Sequence, residues 1–192
     1  IVSAPLEDDA SGNQSGKAYI YNVTTGNLLH TLDNPNPYGT SESDQFGWSV
    51  AMSGNHAIVG ANKERDANGE WQGKAYIFDV TTGALEHTLD NPNAYNPSTA
   101  YDEFGYSVAI SGNHAIVGAV YEDDAGGGSS GKAYIFNVTT GALVHTLDNP
   151  TAYGTSATDQ FGISVAISDN YAIVGAHKED DAGGTSSGKA YI

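Results

Sequence analysis

In FGYSVAISGNHAIVGA, residues 104–119, two apolar segments flank a short polar turn. Residues 46–61 read FGWSVAMSGNHAIVGA and residues 161–176 read FGISVAISDNYAIVGA, so the pattern occurs three times. Apolar residues alternate with small or polar residues on both sides of the turn, as in two β-strands joined by a hairpin. A hairpin that recurs in this way predicts a repeat protein built from β-sheets.

The second strand of the hairpin sets the period of the repeat. Its copies begin at Ile1, Ile58, Ile116 and Ile173, which are 57 or 58 residues apart. Around the second copy, four apolar segments predict strands that we name A to D: Phe46–Met52, Ala57–Ala61, Lys74–Val80 and Leu85–Leu89. The sequence therefore predicts one all-β domain over residues 1–192, with about three and a third repeats of a four-stranded antiparallel sheet and an incomplete last copy.

The connections between these strands differ in length. Strands A and B, and strands C and D, are joined by tight turns of about four residues, whereas the B–C and D–A connections are loops of about a dozen residues. In an up-and-down antiparallel sheet, the two long connections lie at the same edge. We call this the long-loop edge, and we expect any ligand to bind there because binding residues concentrate on loops.

Strand A predicts how the sheets pack. Period-two alternation places Phe104 and Val108 on one face and Gly105 and Ser107 on the other. A large face opposite a small one suits a stack of identical sheets, and Gly60, Gly118 and Gly175 on strand B would allow close approach. The sequence therefore predicts a β-propeller in which each repeat is one blade.

The order Phe-Gly, strand, turn, strand, Gly-Ala, then Gly-Lys-Ala-Tyr-Ile-Phe resembles the FG-GAP repeat of integrin α-subunits and, more closely, of bacterial extracellular proteins. The resemblance covers nearly the whole chain. It implies four-stranded blades, commonly seven to a ring, and a role in adhesion or ligand binding outside the cell or at its surface. Since about three and a third repeats cannot close such a ring, we expect neighbouring chain or an identical subunit to complete the sheets at each end.

The resemblance also implies a calcium motif of the form D-x-D-x-D-G in the A–B turn. The turns at residues 53–56, 111–114 and 168–171 hold at most one carboxylate each, so we interpret them as plain hairpin turns. Acidic residues are concentrated instead in the B–C loops, where they could bind calcium jointly with aspartates of the D–A loops. The candidate ligands are Glu7, Asp8, Asp9, Glu64, Asp66, Glu122, Asp123, Asp124, Glu179, Asp180 and Asp181, with Asp44, Asp102 and Asp159.

The alternative for these acids is structural. Their carboxylates would cap loop amides or pair with the lysines that recur on strand C, which are Lys17, Lys74, Lys132 and Lys189. Arg65 favours this alternative in its own copy, because it places a cation where the other copies have an acid.

Aromatic residues of the long-loop edge are the second set of candidates. Stacking on a sugar ring or packing on a protein would suit them, and the alternative is packing within their own loops beside Pro35, Pro92 and Pro150. The candidates are Tyr38, Tyr95, Tyr101 and Tyr153 in the D–A loops and Trp71 and Tyr121 in the B–C loops.

Composition excludes several classes of function. A formal charge of -16, from 23 acidic and 7 basic residues, argues against binding to nucleic acid or an anionic membrane. No apolar run is long enough to cross a membrane, and the absence of cysteine excludes disulfides and thiolate metal sites. The recurring His30, His87 and His145 lack any accompanying catalytic motif, so we expect no enzyme activity.

Two functions fit these expectations. The first is an extracellular adhesion or interaction module that binds a protein or glycan of a cell surface through the long-loop edge. The second is a structural strut or filament component built from identical subunits. The loops of different copies are closely similar, which favours multivalent recognition or plain structure over a single selective site.

Overall fold

The computed structural model describes residues 1–8, 14–35, 43–65, 69–92, 101–123, 127–150, 157–182 and 184–192. Fourteen β-strands are present among them, and none of these residues is helical. No helix within the described residues is therefore long and apolar enough to span a membrane. The strands are β1 (Val2–Ala4), β2 (Lys17–Tyr21), β3 (Leu28–Asp33), β4 (Phe46–Ser53), β5 (His56–Ala61), β6 (Lys74–Asp79), β7 (Leu85–Asp90), β8 (Phe104–Ser111), β9 (His114–Ala119), β10 (Lys132–Asn137), β11 (Leu143–Asp148), β12 (Phe161–Ser168), β13 (Tyr171–Ala176) and β14 (Lys189–Tyr191).

The strands form four antiparallel sheets in which neighbours in sequence are neighbours in space. The orders are β1-β2-β3, β4-β5-β6-β7, β8-β9-β10-β11 and β12-β13-β14. By repeat position, the first sheet holds strands B to D, the two central sheets hold A to D, and the last holds A to C. The predicted all-β fold of propeller blades is confirmed, and the four blades form a partial ring rather than a closed one.

The hydrophobic core lies between successive sheets. Between the second and third sheets, Ile58, Ile77 and Leu89 pack against Phe104 and Tyr134 of the next blade. Strand β8 lies against both β4 and β5, and β12 lies against both β8 and β9, so strand A of the third and fourth blades contacts strands A and B of the blade before it. Burial of these apolar side chains stabilises the contact between blades.

The Phe-Gly motif forms a β-bulge, which the simple alternation of strand A does not predict. Phe104 pairs with Ala119, but the next pair is Ser107 with Gly118, and Gly105 has a φ of 91°. The Gly105 carbonyl points at the preceding blade, where it would lie 2.0 Å from a Cβ atom added to Gly60. Ser107 instead faces the following blade, where its Oγ donates to the Gly162 carbonyl. The expectation that Gly105 and Ser107 share one face was therefore wrong, whereas close approach at the strand-B glycine is confirmed at Gly60.

The recurring histidines of strand D also have a packing role. A Cβ atom added to Gly83 would lie 2.7 Å from Nδ1 of His30, and one added to Gly141 would lie 2.8 Å from Nδ1 of His87. Each of these glycines belongs to the C–D turn of the next blade. This contact between blades gives the histidines a structural reason to recur.

Candidate functional site

A glutamate begins each B–C loop at the long-loop edge, and it is buried in three of the four copies. Glu64 and Glu122 are fully buried, and the tyrosine twelve residues later in strand C donates its hydroxyl hydrogen to each. The Tyr76 hydroxyl lies 2.7 Å from both carboxylate oxygens of Glu64, and the Tyr134 hydroxyl lies 2.7 and 2.6 Å from those of Glu122. These glutamates therefore fix the loop to its own strand rather than facing solvent. The same contact joins Tyr19 to Glu7 and Tyr191 to Glu179, both at 2.6 Å.

A buried aspartate of each D–A loop lies beside this glutamate. Asn34, which follows β3, donates one hydrogen bond to Asp44 at 3.0 Å and another to Glu64 at 3.1 Å. The network therefore ties the D–A loop to the B–C loop at the same edge. Equivalent bonds join Asn91 to Asp102 at 3.0 Å and Asn149 to Asp159 at 2.9 Å.

Burial shifts the protonation of these carboxyl groups. Burial, with a smaller contribution from Asp44, raises the pKa of Glu64 to about 8 although hydrogen bonds from Tyr76 and Asn34 oppose the shift. Burial raises the pKa of Asp102 to about 7, helped by the nearby charge of Asp123. The pKa of Glu122 rises to about 7 for the same first reason, with Asp102 adding to it. The folded protein therefore favours the protonated forms of these groups.

The acids that follow the buried glutamates cap the loops. Oδ1 of Asp123 accepts a hydrogen bond from the amide of Ser129 at 2.7 Å, and Oδ1 of Asp180 accepts one from Ser186 at 2.7 Å. Asp8 accepts the equivalent bond from Gln14 at 2.9 Å. This is the capping arrangement that the structural alternative predicted.

Two lysines of strand C pair with glutamates of the B–C loops, as that alternative predicted, whereas the other two pair with aspartates at the end of strand D. Nζ of Lys189 lies 2.6 Å from Glu179, and Nζ of Lys132 lies 3.7 Å from Glu122. Lys17 pairs at 3.1 Å with Asp33, at the end of strand D. Lys74 makes the equivalent pair with Asp90.

Calcium binding stays a prediction. Among the described residues, no group of three or more His, Asp or Glu side chains is placed to hold a metal ion. Asp181 lies in the described part of the fourth copy, where its amide donates to the Gly184 carbonyl at 3.1 Å. Three of the predicted ligands, Asp9, Asp66 and Asp124, lie outside the described residues.

Three of the predicted aromatic residues meet in one pocket. Trp71, Tyr101 and Tyr121 line a cavity of about 410 Å³ at the long-loop edge between the second and third sheets. The rings of Trp71 and Tyr101 are 5.0 Å apart at 67°, an edge-to-face pair, and Tyr101 is 55% exposed. The remaining lining residues are Lys63, Asp102, Glu103, Asp123 and Ser129. Tyr38, Tyr95 and Tyr153 lie outside the described residues.

Two charged groups flank this aromatic pair. The Arg65 guanidinium lies over the Trp71 ring, 5.6 Å from its centroid. Oε2 of Glu103 accepts a hydrogen bond from Asn62 at 2.8 Å. Burial raises the pKa of Glu103, and the contacts with Asn62 and Lys63 oppose that rise.

The pocket occupies positions at which the repeats differ. The Trp71 position holds Gln or Ser in the other copies, the Tyr121 position holds Leu or Lys, and the Tyr101 position holds Ser or Thr. Glu103 also stands where two other copies have Gln. The residues at the Trp71 position are Gln14, Ser129 and Ser186, and those at the Tyr121 position are Leu6, Lys63 and Lys178. The residues at the Tyr101 position are Ser43 and Thr158, and those at the Glu103 position are Gln45 and Gln160. Sequence reasoning missed Glu103 and Lys63, although a comparison of the copies carries the signal for Glu103.

Comparison with known proteins agrees with the repeat architecture. A family model described as FG-GAP repeat matches residues 37–78, 98–136 and 151–192. No curated protein matches the sequence. Repeats of this family form non-enzymatic modules and are typical of extracellular or surface proteins.

Proposed function

We propose that this chain, which belongs to the FG-GAP repeat family, is a binding module that holds its ligand at the long-loop edge. The ligand would be a protein or glycan at a cell surface, and the contact would be made in the pocket between the second and third sheets. The observation that carries this proposal is the meeting of Trp71, Tyr101 and Tyr121 in one cavity of about 410 Å³. Cavities of about 300–1,000 Å³ are typical of ligand sites.

The differences between copies support a selective site. Positions that build the blades are nearly identical in the copies, since the Phe-Gly motif occurs three times without change and the Gly-Ala motif recurs in three copies, with Ser3-Ala4 in the first. Aromatic residues occupy the Trp71, Tyr101 and Tyr121 positions together at one junction between blades and at none of the other described junctions. One selective site on a rigid repeat scaffold therefore fits better than the multivalent recognition that the similar loops favour.

A screen of immobilised glycans and cell-surface proteins tests the proposal. The chain offers a matched pair of exposed tyrosines, because Tyr101 lines the pocket whereas Tyr171 begins β13 after an A–B turn at the opposite edge. We expect Tyr101→Ala to weaken binding about tenfold or more, as for an aromatic residue central to an interface. Tyr171→Ala should leave binding unchanged. Equal effects of the two substitutions would refute a site at the long-loop edge.

The structural alternative has its own supporting observation. Val23, in the turn between β2 and β3, is 99% exposed, whereas the equivalent Val138 is 1% exposed in the core between blades. Val2 and Ile173 are likewise exposed where the equivalent Val59 and Ile58 are buried. Identical subunits stacked through these faces would bury them. Sedimentation velocity over a range of concentrations tests this, since association that Val23→Asp abolishes supports it and a monomer at all concentrations rejects it.

A further inference from the structure

We propose that the pocket between the second and third sheets takes an alkylated ammonium group, of the kind that choline carries. This inference rests on the proposed function, because it names the ligand chemistry of the same pocket. It follows from the aromatic walls of the cavity, the sign of its charge and the way its carboxylates are already bonded.

The aromatic walls suit a cation. Edge-to-face packing of Trp71 and Tyr101 at 67° turns the two ring planes nearly perpendicular to each other, and Tyr121 adds a third ring to the lining. Ring faces carry negative potential and attract cations within about 6 Å of the centroid. Arg65 shows this attraction within the chain, because its guanidinium lies 5.6 Å from the centroid of the Trp71 ring.

The charged residues of the pocket lining are mainly negative, as is the potential at the aromatic ring faces. Asp102, Glu103 and Asp123 line the pocket, and Lys63 is the one base among its described lining residues. Glu103 is an acid where the equivalent residues are Gln45 and Gln160, so the extra negative charge belongs to this junction. Because burial raises the pKa of Asp102 to about 7, that group carries only part of a charge near neutral pH. An anionic ligand would still meet Glu103 and Asp123 beside the single lysine and is disfavoured.

The bonding of these carboxylates favours an alkylated cation over one rich in N–H donors. Asp102 already accepts from Asn91 at 3.0 Å, Glu103 from Asn62 at 2.8 Å, and Asp123 from the Ser129 amide at 2.7 Å. Each is thus held in place by a protein donor and needs no hydrogen bond from the ligand to keep its orientation. An ammonium group covered by methyl groups needs aromatic faces and negative potential but donates no hydrogen bonds.

Binding of choline tests the proposal through the fluorescence of Trp71. Trp48 is the only other tryptophan, and Trp48→Phe leaves Trp71 as the single indole reporter. The neutral isostere 3,3-dimethylbutanol has the same shape without the charge. We expect saturable binding of choline at least about tenfold tighter than binding of the isostere. Equal binding of both, or no saturation by choline up to about 10 mM, would overturn the inference.

Two variants use residues that other copies carry at the same positions, so both are compatible with the fold. Glu103→Gln should weaken choline binding about threefold or more, because it removes one nearby charge. Tyr121→Lys should abolish binding, because it places a second ammonium group in the pocket. Unchanged affinity in both variants would overturn the inference.

Two further comparisons separate the possible outcomes. Sedimentation with phosphatidylcholine vesicles shows whether the group can be a lipid headgroup, and binding of free choline without vesicle binding assigns it to a soluble ligand. Failure of choline while a glycan or protein still binds through Tyr101 would overturn this inference alone. Failure of both would overturn the proposed function as well.

Discussion

Replacing Gly118 by alanine tests how neighbouring blades pack. A Cβ atom at Gly118 would lie 2.2 Å from the carbonyl oxygen of Gly162 in the next blade. That oxygen also accepts a hydrogen bond from Ser107 Oγ at 2.7 Å, so moving it disturbs a second interaction. Over-packing costs about 1–3 kcal/mol and the lost hydrogen bond about 0.5–1.5 kcal/mol. We therefore expect Gly118→Ala to lower the free energy of unfolding by about 2–4 kcal/mol.

Gly175→Ala is the matched control. Gly175 holds the same position of the fourth copy, and its added Cβ would approach Ser164 Oγ at 2.6 Å much as that of Gly118 approaches Ser107 Oγ at 2.5 Å. A carbonyl of a following blade lies near Gly118 but not near Gly175 among the described residues. The difference between the two variants therefore isolates the contact between blades.

Thermal unfolding followed by circular dichroism measures that difference. For a chain of this size, about 2–4 kcal/mol corresponds to a drop in melting temperature of roughly 5–15 °C. Gly118→Ala should melt lower than Gly175→Ala by most of that amount. Equal melting temperatures of the two variants would refute the packing role of the Gly-Ala motif.

Three further predictions concern the buried carboxyl groups. The pKa of Glu64 is raised from 4.5 to about 8 in the folded protein. Its protonated form therefore stabilises the fold fully below pH 4.5, and this contribution is lost as the pH rises through 8. Each unit of pKa difference corresponds to about 1.4 kcal/mol of stability. Melting temperature should therefore fall from pH 5 to pH 8, and a flat or rising profile would contradict the buried network. Tyr134→Phe removes the hydroxyl that donates to Glu122 and should cost about 1–3 kcal/mol in urea unfolding; the exposed Tyr171→Phe should cost less than about 0.5 kcal/mol, and equal losses would reject the anchoring role. Calcium, if it binds the B–C loops as predicted, should give heat in calorimetric titration and raise the melting temperature relative to chelator, whereas neither effect would remove the metal prediction.

Local sequence patterns predicted the strands well, because the bounds of a strand follow from the alternation of its apolar residues and from the turn residues beside it. Alternation of apolar residues and glycine-rich turns gave β5 as Ala57–Ala61 where the structure has His56–Ala61, and the other strands of that blade agree as closely. The bulge at Gly105 could not be predicted this way, because it breaks the alternation between Phe104 and Ser107 and packs against Gly60, which lies in another blade.

The sequence identified individual residues of the candidate site but did not predict how they are arranged in space. From the sequence, Glu64 and Glu122 were expected to be loop acids that bind calcium or face solvent. Each is instead buried and accepts a hydrogen bond from the tyrosine twelve residues later. That spacing is the same in every copy of the repeat. Trp71 and Tyr101 are thirty residues apart in the chain and come from different connections, so only the packing of two blades brings them together.

The most direct test of the binding site is amide chemical-shift mapping on the isotope-labelled chain, with a ligand from the glycan and protein screen. The proposed function predicts that shifts at saturation concentrate at Trp71, Tyr101 and Tyr121 and at their neighbours in the long loops. Shifts concentrated in the A–B and C–D turns at the opposite edge, or on the exposed sheet faces around Val23 and Ile173, would contradict it.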